Sequence, residues 1–211
     1  MASGVAGAAA ATHASSPVPA PGAPPHEPRF DAGRICLDLL ATAHPEERLG
    51  SVDRLRVWCV GAGLVPAGTP LSTAEPSWLS AFHELRFHVG KLVRGELEGR
   101  SVGSALERVN ALALWAPPAP RAIRTGDGTL VRALHADPGC TPLLAAVARD
   151  AVELLTDPVA RARLRQCEGD NCPLIYLDTS RGRRRRWCSS EACGNRERVA
   201  RHRRRAALAR A

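Results

Sequence analysis

Four cysteines near the C-terminal end constrain this chain more than any other feature. They form two pairs, Cys167/Cys172 and Cys188/Cys193, with four residues inside each pair and fifteen between the pairs. Thiolates at such short spacings can gather around one ion, and tetrahedral zinc with four sulfur ligands at about 2.3 Å keeps no open position for water or substrate. The expected role is structural: one Zn2+ per chain, held by Cys167, Cys172, Cys188 and Cys193. Two disulfides or four buried thiols are the competing readings. Disulfides require an oxidising compartment, and no export signal is read at the N-terminus, so a cytoplasmic protein is expected.

Between the pairs, 173–178 reads as an apolar strand, Thr179–Arg183 as a turn containing Gly182, and the run into Trp187 as a second strand. Ser189-Ser190-Glu191 is a helix start, and no proline follows as far as Leu208. Cys193 falls in the first turn of that helix, where the positive end of the helix dipole favours a thiolate. A turn, a hairpin and a helix around one ion make a treble-clef-like zinc finger.

Charge is concentrated in the same region. The chain carries a net +8, but residues 161–211 hold fifteen Arg against five carboxylates, a net +10 that leaves −2 for residues 1–160. On the C-terminal helix, Arg198, Arg201, Arg204 and Arg205 fall on the outer face, with Arg183, Arg184, Arg185 and Arg186 of the hairpin beside them. Such a surface suits a polyanion, because guanidinium pairs with phosphate and each neutralised phosphate releases counterions. Arg196 shares a face with Cys193 and Val199, so an internal role paired with Asp178 is expected, with Asn195 bonding the backbone of the finger. The expected function is zinc-dependent nucleic-acid binding, to DNA in preference to RNA, as a transcription regulator. An RNA- or ribosome-associated protein, or a protein-interaction or redox module that loses zinc on thiolate oxidation, are the other readings.

Cys193-Gly194-Asn195-Arg196 reads CGNR, with Trp187-Cys188 and Leu177-Asp178-Thr179-Ser180-Arg181 upstream. This resembles the CGNR zinc-finger family, whose members join such a finger to an N-terminal ABATE domain and are described as stress-induced transcription regulators. Gly33-Arg34-Ile35-Cys36-Leu37-Asp38 resembles the opening of that N-terminal domain. Ala41-Thr42 stands where the family pattern has Asn-Thr, and Glu197 where it has a small residue.

Upstream of the finger the expected fold is mainly α, a helical domain with one β-hairpin over 29–160, preceded by a disordered Ala/Pro/Gly/Ser tail at 1–28. Helices are predicted over Phe30–Ala43, Val52–Gly61 (capped by Ser51), Thr73–Leu97 (capped by Ser72 or Thr73), Ser101–Trp115, Thr141–Leu155 and Val159–Gln166. The predicted inward stripe of the fourth is Leu106, Val109 and Leu112 or Ala113. Arg121–Ala136 around Gly126-Asp127-Gly128 reads as the hairpin, with Ile123, Leu130 and Leu134 inward. Trp58, Trp78 and Trp115 are expected in the core, and Cys36, Cys59 and Cys140 as small hydrophobes. No run of about 18 apolar residues occurs, so no membrane span is expected. No phosphate loop, nucleophile elbow or Cys/His dyad emerges, so no enzyme is expected. A homodimer and an unidentified small ligand of the helical domain complete the expected partners.

Overall fold

A computed structural model of the protein describes residues 28–208; nearly all of the predicted tail, 1–27, lies outside the described residues. The helical body contains α1 (Ile35–Ala41), α2 (Val52–Gly61), α3 (Pro76–Leu97), α4 (Gly103–Ala113) and α5 (Cys140–Thr156), with the hairpin β1 (Pro120–Arg124) and β2 (Leu130–Leu134) between α4 and α5. A one-turn helix, α6 (Pro158–Arg161), then leads to β3 (Leu164–Gln166) and β4 (Ile175–Leu177). A π-helical turn, Ser190–Gly194, runs into the last helix, α7 (Asn195–Leu208).

The helical periodicity of α3 and α5 supplies the core, with Leu79 of α3 only partly buried. Phe82, Leu85, Val89 and Val93 of α3 meet Leu143, Val147, Ala151 and Leu154 of α5, all fully buried. Trp58 of α2 meets Phe82 edge-on, with ring centroids 5.8 Å apart. Cys36 and Cys59 are fully buried, as small hydrophobes. Ser51 caps α2, its Oγ accepting the Arg54 amide at 3.3 Å.

Other expectations are corrected. Ser72 does not cap α3: its amide and hydroxyl both donate to Asp137, each at 2.7 Å, and the helix starts later, at Pro76. The inward positions of α4 are Ala105 and Val109 with Leu112 beside them, while Leu106 is exposed. Trp115 is 61% exposed rather than in the core. The hairpin forms in register, Ile123 opposite Val131, yet Ile123 and Leu130 face solvent and only Leu134 packs inward. Arg132 ties it to the body by donating to the carbonyl of Gly63 at 2.9 Å. The predicted helix over Val159–Gln166 is four residues long, because Leu164–Gln166 pairs antiparallel with Ile175–Leu177, Leu164 opposite Leu177.

That second sheet joins the finger to the body. Leu177 donates its amide to the Ala32 carbonyl at 2.8 Å, and Ile175, Tyr176 and Leu177 are all buried. The loop before α1 is held in turn by Asp38, buried within the helix, whose carboxylate accepts the Ala32 amide at 3.0 Å. Burial pushes the Asp38 carboxyl up to about 7 despite that bond. Arg34, next in the chain, pairs with Asp150 of α5 at 2.8 Å, and Asp150 also accepts the Cys36 amide at 2.9 Å. Gly33 sits in the middle of this junction with φ +89°, and a Cβ there would lie 3.2 Å from the Cβ of Leu177. Both the left-handed backbone and the close approach require glycine. Gly33→Ala is therefore expected to cost about 1–2 kcal/mol in urea unfolding. Gly50→Ala, where a Cβ meets nothing within 4 Å, is the matched control and should leave the midpoint nearly unchanged.

Candidate metal centre and nucleic-acid interface

The first cysteine pair occupies the connection between β3 and β4. Cys167 donates its amide to Leu174 at 2.8 Å, and Cys172 donates to Gly169 at 3.1 Å, which folds 167–172 into a compact knuckle. The Cys167 sulfur accepts the amides of Gly169 (3.4 Å) and Cys188 (3.2 Å). Gly169 lies against the sulfurs: a Cβ there would sit 3.3 Å from the Cys193 Sγ and 3.5 Å from the Cys167 Sγ. A side chain there would press on the cysteines at tight contact distance, at a position the sequence reading passed over.

The hairpin of the finger therefore precedes and follows the first pair, and the second strand predicted at 183–187 does not form. Asp178 explains why. Its carboxylate accepts the Ser180 amide (2.9 Å), the Ser180 hydroxyl (2.6 Å) and the Arg185 amide (3.2 Å), while the Tyr176 hydroxyl donates to the Arg185 carbonyl (2.6 Å). Backbone groups that a ladder would need are bonded to side chains instead. The Ser180 contacts, against a small opposing effect of burial, hold the Asp178 carboxyl below the usual range.

Cys188 and Cys193 flank the start of the last helix. Ser189 accepts the Glu191 amide on its hydroxyl at 3.1 Å, as a capping serine should, and Gly194 donates five residues back to the Ser189 carbonyl at 2.9 Å. That longer bond makes the first turn a π turn and places Cys193 in it.

The four sulfurs all lie within 4.8 Å of one another, and all four cysteines are buried. Cys172 and Cys188 are 3.8 Å apart at sulfur, Cys188 and Cys193 3.6 Å. A tetrahedron with zinc–sulfur bonds of about 2.3 Å has edges of about 3.8 Å, whereas a disulfide is about 2.05 Å long. The donor set therefore fits one zinc ion, and the disulfide reading falls. Burial pushes the thiols of Cys172, Cys188 and Cys193 up to about 11. Burial would raise Cys167 too, but the two amides on its sulfur hold it below the ordinary value. Four negative charges are unfavourable in so small a buried space, and a divalent cation compensates them.

Four thiolates and Zn2+ still sum to −2, and two arginines approach the sulfurs. Arg196 donates to Cys193 Sγ at 3.7 Å, and Arg29 donates to Cys188 Sγ at 3.7 Å and to the Cys188 carbonyl at 3.2 Å. Arg196 is exposed, and its side-chain contact is the Cys193 thiolate rather than the expected Asp178, which is occupied by its own loop. Asn195 is exposed and makes no side-chain hydrogen bond among the described residues, in place of the expected backbone contact. Gly194 is buried, with the Trp187 ring 3.6 Å from where its Cβ would lie. Arg29 was invisible to sequence reasoning: it stands beside a tail of low complexity, 159 positions from its partner.

The eight arginines read as one basic surface divide into two sets. Arg185 points inward, donating to Asp31 (3.2 Å), Trp187 (3.0 Å) and Cys188 carbonyls, with its guanidinium 4.4 Å from the Tyr176 ring centroid. Arg198 bonds the Gly194 and Ser190 carbonyls at 3.3 and 3.2 Å, closing the π turn. Arg186 pairs with Glu168 at 2.6 Å, and Arg204 reaches Glu197 at 3.9 Å. Arg183, Arg184, Arg201 and Arg205 are exposed and have no side-chain partner among the described residues. Arg203, absent from the sequence-based set, joins them.

A helical body joined to a four-cysteine finger with an arginine-rich terminal helix defines a zinc-finger protein of two coupled parts. Residues 33–158 match the ABATE family, described as a "putative stress-induced transcription regulator", and residues 163–206 match the CGNR zinc finger. The chain belongs to the ABATE family and ends in a CGNR zinc finger. No curated protein matches it. No helix among the described residues is long and apolar enough to cross a membrane.

The metal centre is open to direct test. Cys188→Ser should abolish stoichiometric zinc by metal analysis and unfold the module, since structural zinc contributes about 10–16 kcal/mol in finger peptides. Because bound zinc displaces thiol protons, its affinity should fall on acidification, by about tenfold per pH unit for each thiol that must ionise. Separately, Arg29→Ala and Arg196→Ala should each speed zinc transfer to a chelator by about tenfold, because each removes a charged contact to a thiolate. An unchanged transfer rate would show that these arginines do not stabilise the centre.

Proposed function

We propose that this protein is a DNA-binding transcription regulator, that zinc holds its finger in shape, and that α7 with the neighbouring Arg183–Arg184 loop contacts the nucleic-acid backbone. One observation carries this reading. Helix α7 has no buried residue, holds six arginines against one carboxylate, and leaves Arg201, Arg203 and Arg205 without intramolecular acceptors among the described residues. Guanidinium groups presented on a rigid helix are what phosphate recognition requires. The family description, a stress-induced transcription regulator, supports the same reading.

The unpaired set is all arginine, which pairs with phosphate oxygens on any sequence, so we read the contact as mainly with the backbone. The helical body serves as the sensing or dimerisation part, and no catalytic role is assigned to it. Reduced thiols around zinc suit a cytoplasmic protein.

The test is binding of duplex DNA over a series of salt concentrations. The triple variant Arg201→Ala, Arg203→Ala, Arg205→Ala removes no zinc ligand and no buried surface, so zinc content and melting should hold. Affinity should fall sharply, and the log–log salt slope should shrink by about 1 for each phosphate that is no longer neutralised. If structured RNA is bound more tightly than duplex at equal salt, the partner is RNA. Unchanged binding to both in the triple variant would remove the nucleic-acid role of this helix.

A further inference from the structure

Next to the free arginines is a cavity that backbone binding along α7 does not use. It has a volume of about 550 Å3 and is walled by Ser180, Arg184, Arg185, Arg186, Trp187 and Ser190, with Asp31 of the N-terminal arm at one side. Its volume lies within the range of small-ligand sites, roughly 300–1,000 Å3. No aliphatic residue lines it; its apolar surface comes from the Trp187 ring and the arginine stems, and its polar groups are guanidinium, hydroxyl and carboxylate.

The walls differ in freedom and in charge. Arg185 is fixed by neutral carbonyls, at 3.2 Å from Asp31 and 3.0 Å from Trp187, so its position is set and its charge is not cancelled. Arg186 is held by Glu168 at 2.6 Å. The Arg184 guanidinium is exposed with no partner among the described residues, while its backbone amide is anchored on Ser180 Oγ at 3.3 Å. The Asp31 carboxylate is already paired with Arg29 at 2.7 Å. One fixed cation, one cation free to close over a ligand, and the Ser190 hydroxyl beside them match a tetrahedral oxyanion, while the Ser180 hydroxyl is already spent on Asp178 at 2.6 Å. Glu191 also borders the cavity and limits how much negative charge it accepts.

We propose that this cavity binds a single phosphate group, closed over by Arg184, and supplied either by the nucleic-acid backbone or by a free phosphorylated small molecule. The first source deepens the nucleic-acid reading and rests on it; the second stands without it. Arg184 is the residue that the cavity shares with the proposed backbone contact, and the two sources differ in whether the duplex uses it.

The experiment uses the zinc-loaded full-length chain and titrates inorganic phosphate, a 5′-mononucleotide and a duplex oligonucleotide by calorimetry. Arg184→Ala should weaken phosphate at least about tenfold, with Arg184→Lys restoring part of the loss. Glu191→Gln should tighten phosphate several-fold, a gain that unfolding cannot mimic. Loss of duplex affinity in parallel with phosphate identifies a backbone contact, whereas loss for phosphate and mononucleotide with duplex binding intact identifies a free ligand. Duplex binding by the parent without any saturable phosphate binding, or phosphate binding indifferent to both Arg184→Ala and Glu191→Gln, overturns the cavity and leaves the nucleic-acid reading standing. The converse, phosphate binding without duplex binding, removes the nucleic-acid reading and keeps the cavity.

Discussion

Everything in the C-terminal quarter depends on balancing charge around four buried sulfurs. Four thiolates in contact repel one another, and a divalent cation removes half of their charge. Arg29 and Arg196, each 3.7 Å from a sulfur, supply the remainder. The two arginines come from opposite ends of the chain, so the metal centre is also where the N-terminal arm is fastened to the finger. An arm held in this way brings Asp31 with it, and Asp31 in turn accepts Arg185 and pairs with Arg29.

The same junction explains how the finger is oriented. Leu177 bonds Ala32, Gly33 lets the two backbones approach, and Asp38 holds the loop from within α1. Buried residues run without a break from the helical core through β4 to the four cysteines. The finger is thereby packed against the body rather than strung from it, and α7 projects outward with its unpaired arginines. α1 and β4, which pack together, are the physical link between the helical body and the finger.

The two hairpins make an instructive contrast. β1–β2 has strong turn chemistry, Gly128 at φ +87° and Asp127 accepting the Thr129 amide at 3.0 Å, yet its side chains stay largely exposed. β3–β4 has only three residues per strand; its connection also carries turn residues, Gly169-Asp170-Asn171 with Asn171 at φ +57°, but here β4 is buried throughout, packed against α1. Turn chemistry shapes both connections; tertiary packing buries β4 and leaves the first hairpin largely in solvent.

Sequence alone determined what depends on neighbours in the chain. Helical periodicity marked α2, α3 and α5 and their buried stripes, Ser51 marked a cap, and paired spacing marked Cys167, Cys172, Cys188 and Cys193 as one zinc centre. The fold of the body and the ligand set of the site were legible for that reason. Tertiary structure decided whatever depends on partners far away in sequence. Arginines of identical chemistry were sorted into bonded and unbonded sets by which carbonyls and carboxylates lay within reach: Arg185 and Arg198 bond nearby carbonyls, while Arg201 and Arg205 found no acceptor among the described residues. Asp178 took its own loop instead of Arg196, Leu164–Gln166 became a strand because β4 was beside it, and Arg29 reached the metal centre across 159 positions. A periodic pattern records which face of an element is apolar, but a charged side chain pairs by distance, and distance exists only once the chain is folded.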